Sequence, residues 1–155
     1  MSRELRRVHP AWKHPKDNNG RYIPLLDGGV WDNYIADHLE AVEEEGSEEE
    51  AEEAGSPKPN KNNFMPVWSE EEATAYQWYE SVSEGTPISP PMPSKEALAE
   101  WLSDNHTDRL SRKQFTKEQW LKVVNQGYVP TVISFPGTGV QSGTEHVAEK
   151  EANDD

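Results

Sequence analysis

Residues 37–56 hold ten acidic side chains and no lysine or arginine. No core can be assembled from such a stretch, because burying an unpaired carboxylate is strongly unfavourable. Any core must therefore come from the segments on either side. Those segments are close to electrical balance. Residues 1–36 carry six basic and four acidic groups, and residues 57–144 carry eight and ten. The net charge of -14 thus resides in the acidic run and in the last eleven residues, which carry one basic and five acidic groups. A general need for solubility predicts acid everywhere, whereas here it is local. Its sign disfavours direct binding to nucleic acid or to an anionic membrane.

Composition sets further bounds. Only 33% of the 155 residues are hydrophobic, so part of the chain is expected to lie outside any core. No run approaches 18 apolar residues, so no membrane-spanning helix is expected. Residues 1–7 have no apolar stretch behind their charges, so no secretory leader is expected either. The lack of cysteine excludes a disulfide framework, a thiolate metal site and a thiol nucleophile.

Along the chain, residues 1–30 read as an irregular basic segment. Pro10, Pro15 and Pro24 break any long helix, and Asp17-Asn18-Asn19-Gly20 is a turn signal. Arg3, Arg6, Arg7, Lys13, Lys16 and Arg21 form a basic arm that is solvated, folds back on the acidic run, or holds an anionic ligand. Trp31, Tyr34, Ile35, His38, Leu39 and Val42 fall on one face of a helix over 31–42. Residues 43–63 read as an acidic insert and linker, mobile unless a partner orders it. Residues 64–135 read as a helical core with a terminal strand. Ser69 and Glu72 form a capping box that predicts a helix carrying Ala73, Tyr76, Tyr79 and Val82 to Gly85. Ser94 caps a third helix, with Ala97, Leu98, Trp101 and Leu102 as its buried stripe. Thr116 and Gln119 open another, closed by Gly127. Residues 128–135 read as a strand, and 136–155 as a flexible acidic tail. The expected fold is α+β and mainly α: one small domain of three or four short helices and one or two short strands, plus a mobile acidic insert and tail.

The acidic run is the first candidate surface. A fully helical segment over 37–53 spans about 25 Å, so its ten charges lie about 2.5 Å apart, against about 1.7 Å along duplex DNA. Glu43, Glu44, Glu45, Glu48, Glu49, Glu50, Glu52 and Glu53 are therefore candidate partner-binding residues that imitate phosphates. The plainer reading is a hydrated, self-repelling linker, and repulsion between glutamates at i and i+4 opposes a free helix. Trp78 is a candidate for a second interface, because on a helix it lies roughly 200° round from Tyr76. Arg21, Tyr22, Tyr76 and Glu84 outline a possible pocket. The Pro-rich segment 86–93 either presents a polyproline ligand or packs on Trp101. His9, His14 and Asp17 match no ligand spacing, so no metal is expected, and His38 reads as a core residue. Gly137, Gly139 and Gly143 do not have dinucleotide-loop spacing, and Gly-x-Ser-x-Gly is absent. No catalytic residue and no cofactor follow from these motifs.

Asn19-Gly20-Arg21-Tyr22-Ile23-Pro24-Leu25, Trp68-Ser69-Glu70-Glu71-Glu72-Ala73-Thr74-Ala75-Tyr76-Gln77-Trp78-Tyr79-Glu80, Val82-Ser83-Glu84-Gly85-Thr86-Pro87-Ile88-Ser89-Pro90 and Leu98-Ala99-Glu100-Trp101-Leu102 are the segments that carry a resemblance. On these segments the chain resembles small accessory proteins of tailed phages and prophages. The resemblance covers roughly residues 5–35 and 64–145 and skips the acidic run, which looks like a variable insert. It implies a setting, the cytoplasm of an infected bacterium, and carries over no catalytic residue. The expectation is an accessory protein that binds a host or phage protein with a basic groove, most concretely an inhibitor of a nucleic-acid-handling host defence enzyme. The alternatives are an enzyme acting on nucleotides or modified DNA, and a minor virion or assembly component. The sequence does not fix an oligomeric state.

Overall fold

The basic N-terminal stretch is a strand rather than an irregular arm. Arg3–Val8 (β1) pairs antiparallel with Ala75–Glu80 (β2), setting Arg3 opposite Glu80 and Arg7 opposite Tyr76. Thr86–Pro87 (β3) and Tyr128–Val129 (β4) complete a four-stranded sheet of order β3-β2-β1-β4. The arginines are accommodated by their neighbours. Arg3 lies 3.7 Å from Glu80 and Arg6 Nε donates to Glu4 at 2.8 Å. The Arg6 guanidinium sits 4.3 Å from the centre of the Tyr79 ring, and that of Arg7 5.9 Å from Tyr76. Ion pairs and aromatic faces thus let Arg3 and Arg6 be buried, while Arg7 stays exposed.

The computed structural model describes residues 2–80, 85–108, 111–135 and 139–150. The chain divides into two units, Met1–Ile23 with Trp68–Asp155, and Pro24–Val67.

In the first unit, the helix expected after Ser69 is replaced by β2. The capping box does form: Glu72 N donates to Ser69 Oγ at 3.3 Å, and Ser69 N to Glu72 Oε1 at 3.2 Å. It closes a single turn, and the chain leaves it extended. The aromatic run 76–79 suits a pleated surface, and pairing with β1 rewards the extended form. The helical spacing of Tyr76 and Trp78 therefore does not apply. Trp78 is fully buried, which removes it as a second interface.

The two later helices have the expected starts. Ser94 accepts from Ala97 N at the head of Lys95–Asn105 (α3), and Thr116 and Gln119 close a capping box on Lys117–Gln126 (α4). Leu98 and Leu102 of α3 meet Trp120, Val123 and Val124 of α4 in one core with Trp78, Phe115 and Val129. Pro130, which has no N–H to extend a ladder, separates β4 from the hairpin of Val132–Phe135 (β5) and Gly139–Ser142 (β6). Gly143–Ala148 (α5) follows and adds Val147 and Ala148 to the core. The expected flexible tail is thus structured over 139–150, while residues 136–138 and 151–155 of that expectation lie outside the described residues. Asp108 Oδ2 accepts from Ser111 Oγ at 2.6 Å and from Ser142 Oγ at 2.8 Å, tying the loop before α4 to the head of α5. Lys113 adds ion pairs to Glu145 and Glu149.

In the second unit, the expected mobile insert is helical. Trp31–Glu45 (α1) runs three residues past Val42 and stops at Gly46, whose φ of +97° suits glycine. Ser47 then accepts from Glu50 N and starts Glu48–Glu53 (α2). Two observations explain the order. Ala51 is fully buried, and Ser56 N donates to Ala51 O at 2.9 Å while the Ser56 carbonyl accepts from His38 Nδ1 at 2.8 Å. His38 Nε2 is buried without a hydrogen-bond partner among the described residues. Phe64 closes the unit edge-on to Trp31 at 5.1 Å and Tyr34 at 5.5 Å. The fold is α+β, with five α-helices and six strands among the described residues, a larger β share than the one or two strands expected.

Candidate functional site

The acidic candidates lie on the α1–α2 hairpin. Glu43, Glu44 and Glu45 form the end of α1, and Glu48, Glu49, Glu50, Glu52 and Glu53 occupy α2. All eight are exposed. Among the described residues none of them has a cationic partner within ion-pair distance. Gly46 breaks the rod on which the 25 Å spacing depends. Residues 37–45 span about 13 Å and α2 about 9 Å, so the charge forms a compact patch rather than a linear imitation of one strand. The end of α1 carries no basic residue. Acid there opposes the helix dipole by about 0.3–1 kcal/mol per charge.

The four expected pocket residues are not assembled. Tyr22 does line a cleft in the first unit. Arg21 is exposed, and its backbone N–H donates to Asp17 Oδ1 at 3.0 Å. Tyr76 is half-buried on the sheet with Arg7 and Lys95 each 5.9 Å from its ring. Glu84 lies outside the described residues.

The cleft has a volume of about 510 Å³ and is lined by Trp12, Lys13, His14, Lys16, Tyr22 and Gln77. The segment Pro87 to Pro91 and Trp101 complete the lining. Sequence reasoning weighed Lys13 and Lys16 for an anionic ligand and Trp101 as a seat for the Pro-rich segment, but missed Trp12 and Gln77 beside them, because only the tertiary fold brings residues 12–22 to β2 and α3. The Trp12–Trp68 contact, edge to face at 5.2 Å, is one local sign of that packing.

Beneath the cleft, one hydroxyl organises the network. Tyr79 Oη accepts from Trp12 Nε1 at 3.1 Å, lies 2.9 Å from His14 Nδ1, and donates to Gln77 Oε1 at 3.1 Å. His14 Nε2 faces the Ile23 carbonyl at 2.6 Å. A carbonyl only accepts, so Nε2 carries a proton. In neutral His14, Nδ1 is then an acceptor that competes with Gln77 for the single Tyr79 proton. In the imidazolium all four groups are satisfied. Burial nevertheless holds the His14 pKa below its ordinary value; the Ile23 hydrogen bond opposes this and the nearby Arg6 charge reinforces it.

A second cavity of about 380 Å³ lies in the other unit, lined by Tyr34, Asp37, His38, Lys58 and Asn60 among others. The three residues weighed for metal binding are otherwise engaged. His9 Nδ1 accepts from Ala11 N, His14 uses both nitrogens, and Asp17 Oδ1 accepts from Asn19 N and Arg21 N. Among the described residues no cluster of three or more His, Asp or Glu side chains is set to hold a metal ion. Comparison with protein-family models, curated proteins and solved structures finds no match to this chain.

Proposed function

We propose that this chain is an accessory protein of a tailed phage or prophage that acts by stoichiometric binding, with the acidic α1–α2 hairpin as its docking face. The observation that carries the reading is the set of eight exposed glutamates of 43–53 without cationic partners among the described residues. The three glutamates that end α1 oppose that helix's dipole, and the eight together repel one another, which weakens the unit that carries them. Docking into a basic groove relieves that repulsion and releases the partner's counterions. A groove that handles nucleic acid is the natural complement, so the chain competes with the phosphate backbone and inhibits a host defence enzyme. The setting in the infected bacterial cytoplasm comes from the resemblance of the segments outside the acidic run.

Affinity purification from infected cells at low and high salt tests this. A partner retained at about 50 mM salt and released at about 500 mM supports charge-driven docking, because screening shortens the reach of surface charge from about 14 to about 4 Å. Equal retention in both rejects it.

A further inference from the structure

We propose that the cleft between residues 12–22 and the Pro-rich loop is a binding site for a small anion bearing a flat ring, of the nucleoside monophosphate class. It lies in the first unit and does not depend on the acidic hairpin of the second.

Four features support the assignment. The volume of about 510 Å³ falls within the range of about 300–1,000 Å³ that holds small ligands. The lining contains Lys13 and Lys16 and no Asp or Glu, in a chain whose net charge is -14. An acid-free cationic recess on so acidic a protein selects for an anion. Trp12, Tyr22 and Trp101 supply aromatic surface for a ring. The Lys16 ammonium lies over the Tyr22 ring, 4.9 Å from its centre, so positive charge sits against the aromatic lining, as a ring joined to a phosphate requires.

The lining is also preorganised. Gln77 is nearly fully buried, and its Nε2 donates to Ser89 O at 2.8 Å. Trp78 N donates to Ser89 Oγ at 3.0 Å and Ile88 N to Trp78 O at 2.7 Å, which pins the Pro-rich loop to β2. Trp12 and His14 of the lining are held by the Tyr79 hydroxyl. A ligand entering the cleft therefore meets a surface that is already ordered.

The test uses the full chain and the four ribonucleoside 5′-monophosphates, with adenosine, inorganic phosphate and a proline-rich peptide as comparisons. Binding is read by calorimetry and by the indole N–H resonances of Trp12 and Trp101. The expected result is saturable binding of at least one monophosphate that shifts both indole signals. Adenosine and phosphate alone should bind at least about tenfold more weakly, or about 1.4 kcal/mol. Exposed Lys13→Glu with Lys16→Glu should lower the monophosphate affinity at least about tenfold, and Tyr22→Ala should weaken it as well, with the far-ultraviolet circular dichroism unchanged. Absence of saturable binding by all four at millimolar concentration overturns the proposal. So does phosphate binding as tightly as the nucleotide, or a proline-rich peptide occupying the cleft in preference to every monophosphate.

Discussion

Removing one oxygen atom from Tyr79 should destabilise the first unit out of proportion to its size. Tyr79→Phe keeps the ring under Arg6, 4.3 Å from the guanidinium, and deletes the hydroxyl that meets Trp12 Nε1, His14 Nδ1 and Gln77 Oε1. A net hydrogen bond contributes about 1 kcal/mol, and a buried group left unsatisfied costs about 1–3 kcal/mol. His14 and Gln77 are buried at 7% and 3% exposure, while Trp12 is only half-buried and can recruit water. The expected loss is therefore about 2–4 kcal/mol, set by the two buried partners, His14 and Gln77, rather than by all three. At this chain length that corresponds to a fall in melting temperature of roughly 4–16 °C. Urea titration followed by circular dichroism measures it, with Trp12→Phe as the control that removes one donor and costs about 1 kcal/mol. A Tyr79→Phe loss below about 0.5 kcal/mol, no larger than an ordinary surface substitution, would refute the claim that this hydroxyl organises the cleft wall.

Three further outcomes follow from other sites. His14 has a depressed pKa in the folded chain, so the unfolded chain takes up its proton first as pH falls. Its stabilising share is complete above about pH 6.5 and is lost as pH descends through the folded value; urea midpoints from pH 7.5 to 5 should show that slope, and His14→Gln should flatten it. Gly28→Ala should destabilise the second unit by about 1–3 kcal/mol, because its Cβ would lie 2.5 Å from Met65 O and 2.9 Å from Pro66 O, both backbone atoms; unchanged thermal melting contradicts this. Asp108→Ala strands the buried Ser142 hydroxyl, while half-buried Ser111 can recruit water, and should cost about 1–3 kcal/mol, with hydrogen exchange accelerated in α5; protection equal to wild type would count against it.

Local signals on the page of sequence were strongest where a cap and a periodic apolar stripe coincided. Ser94 with Leu98 and Leu102, and Thr116 with Trp120 and Val123, mark α3 and α4 on that basis. The Ser69–Glu72 signal misleads because the same hydrogen bonds close an isolated turn, and the strand after it depends on β1, some seventy residues away. Read alone, β1 looks like a solvated basic arm, since its burial depends on Tyr76, Tyr79 and Glu80. The acidic hairpin was legible as charge but not as structure. Its order hangs on Ala51 and on the His38–Ser56 hydrogen bond, and beyond Val42 Ala51 and Ser56 are single positions in a stretch without an apolar stripe. Tyr22 was the one expected pocket residue that lines the cleft, because the remaining walls come from positions 12–16 and 77–101 that no local pattern connects.

The central claim is that the glutamates of the α1–α2 hairpin drive docking by charge. The most direct measurement is the slope of log Kd against log salt concentration for a salt-released partner recovered from infected cells. The intact chain is compared with a variant carrying glutamine at all eight positions of 43–53. The account predicts a steep slope for the intact chain and a much flatter one, with weaker low-salt affinity, for the glutamine variant. Equal slopes and equal affinities would contradict it and leave the hairpin as a spacer.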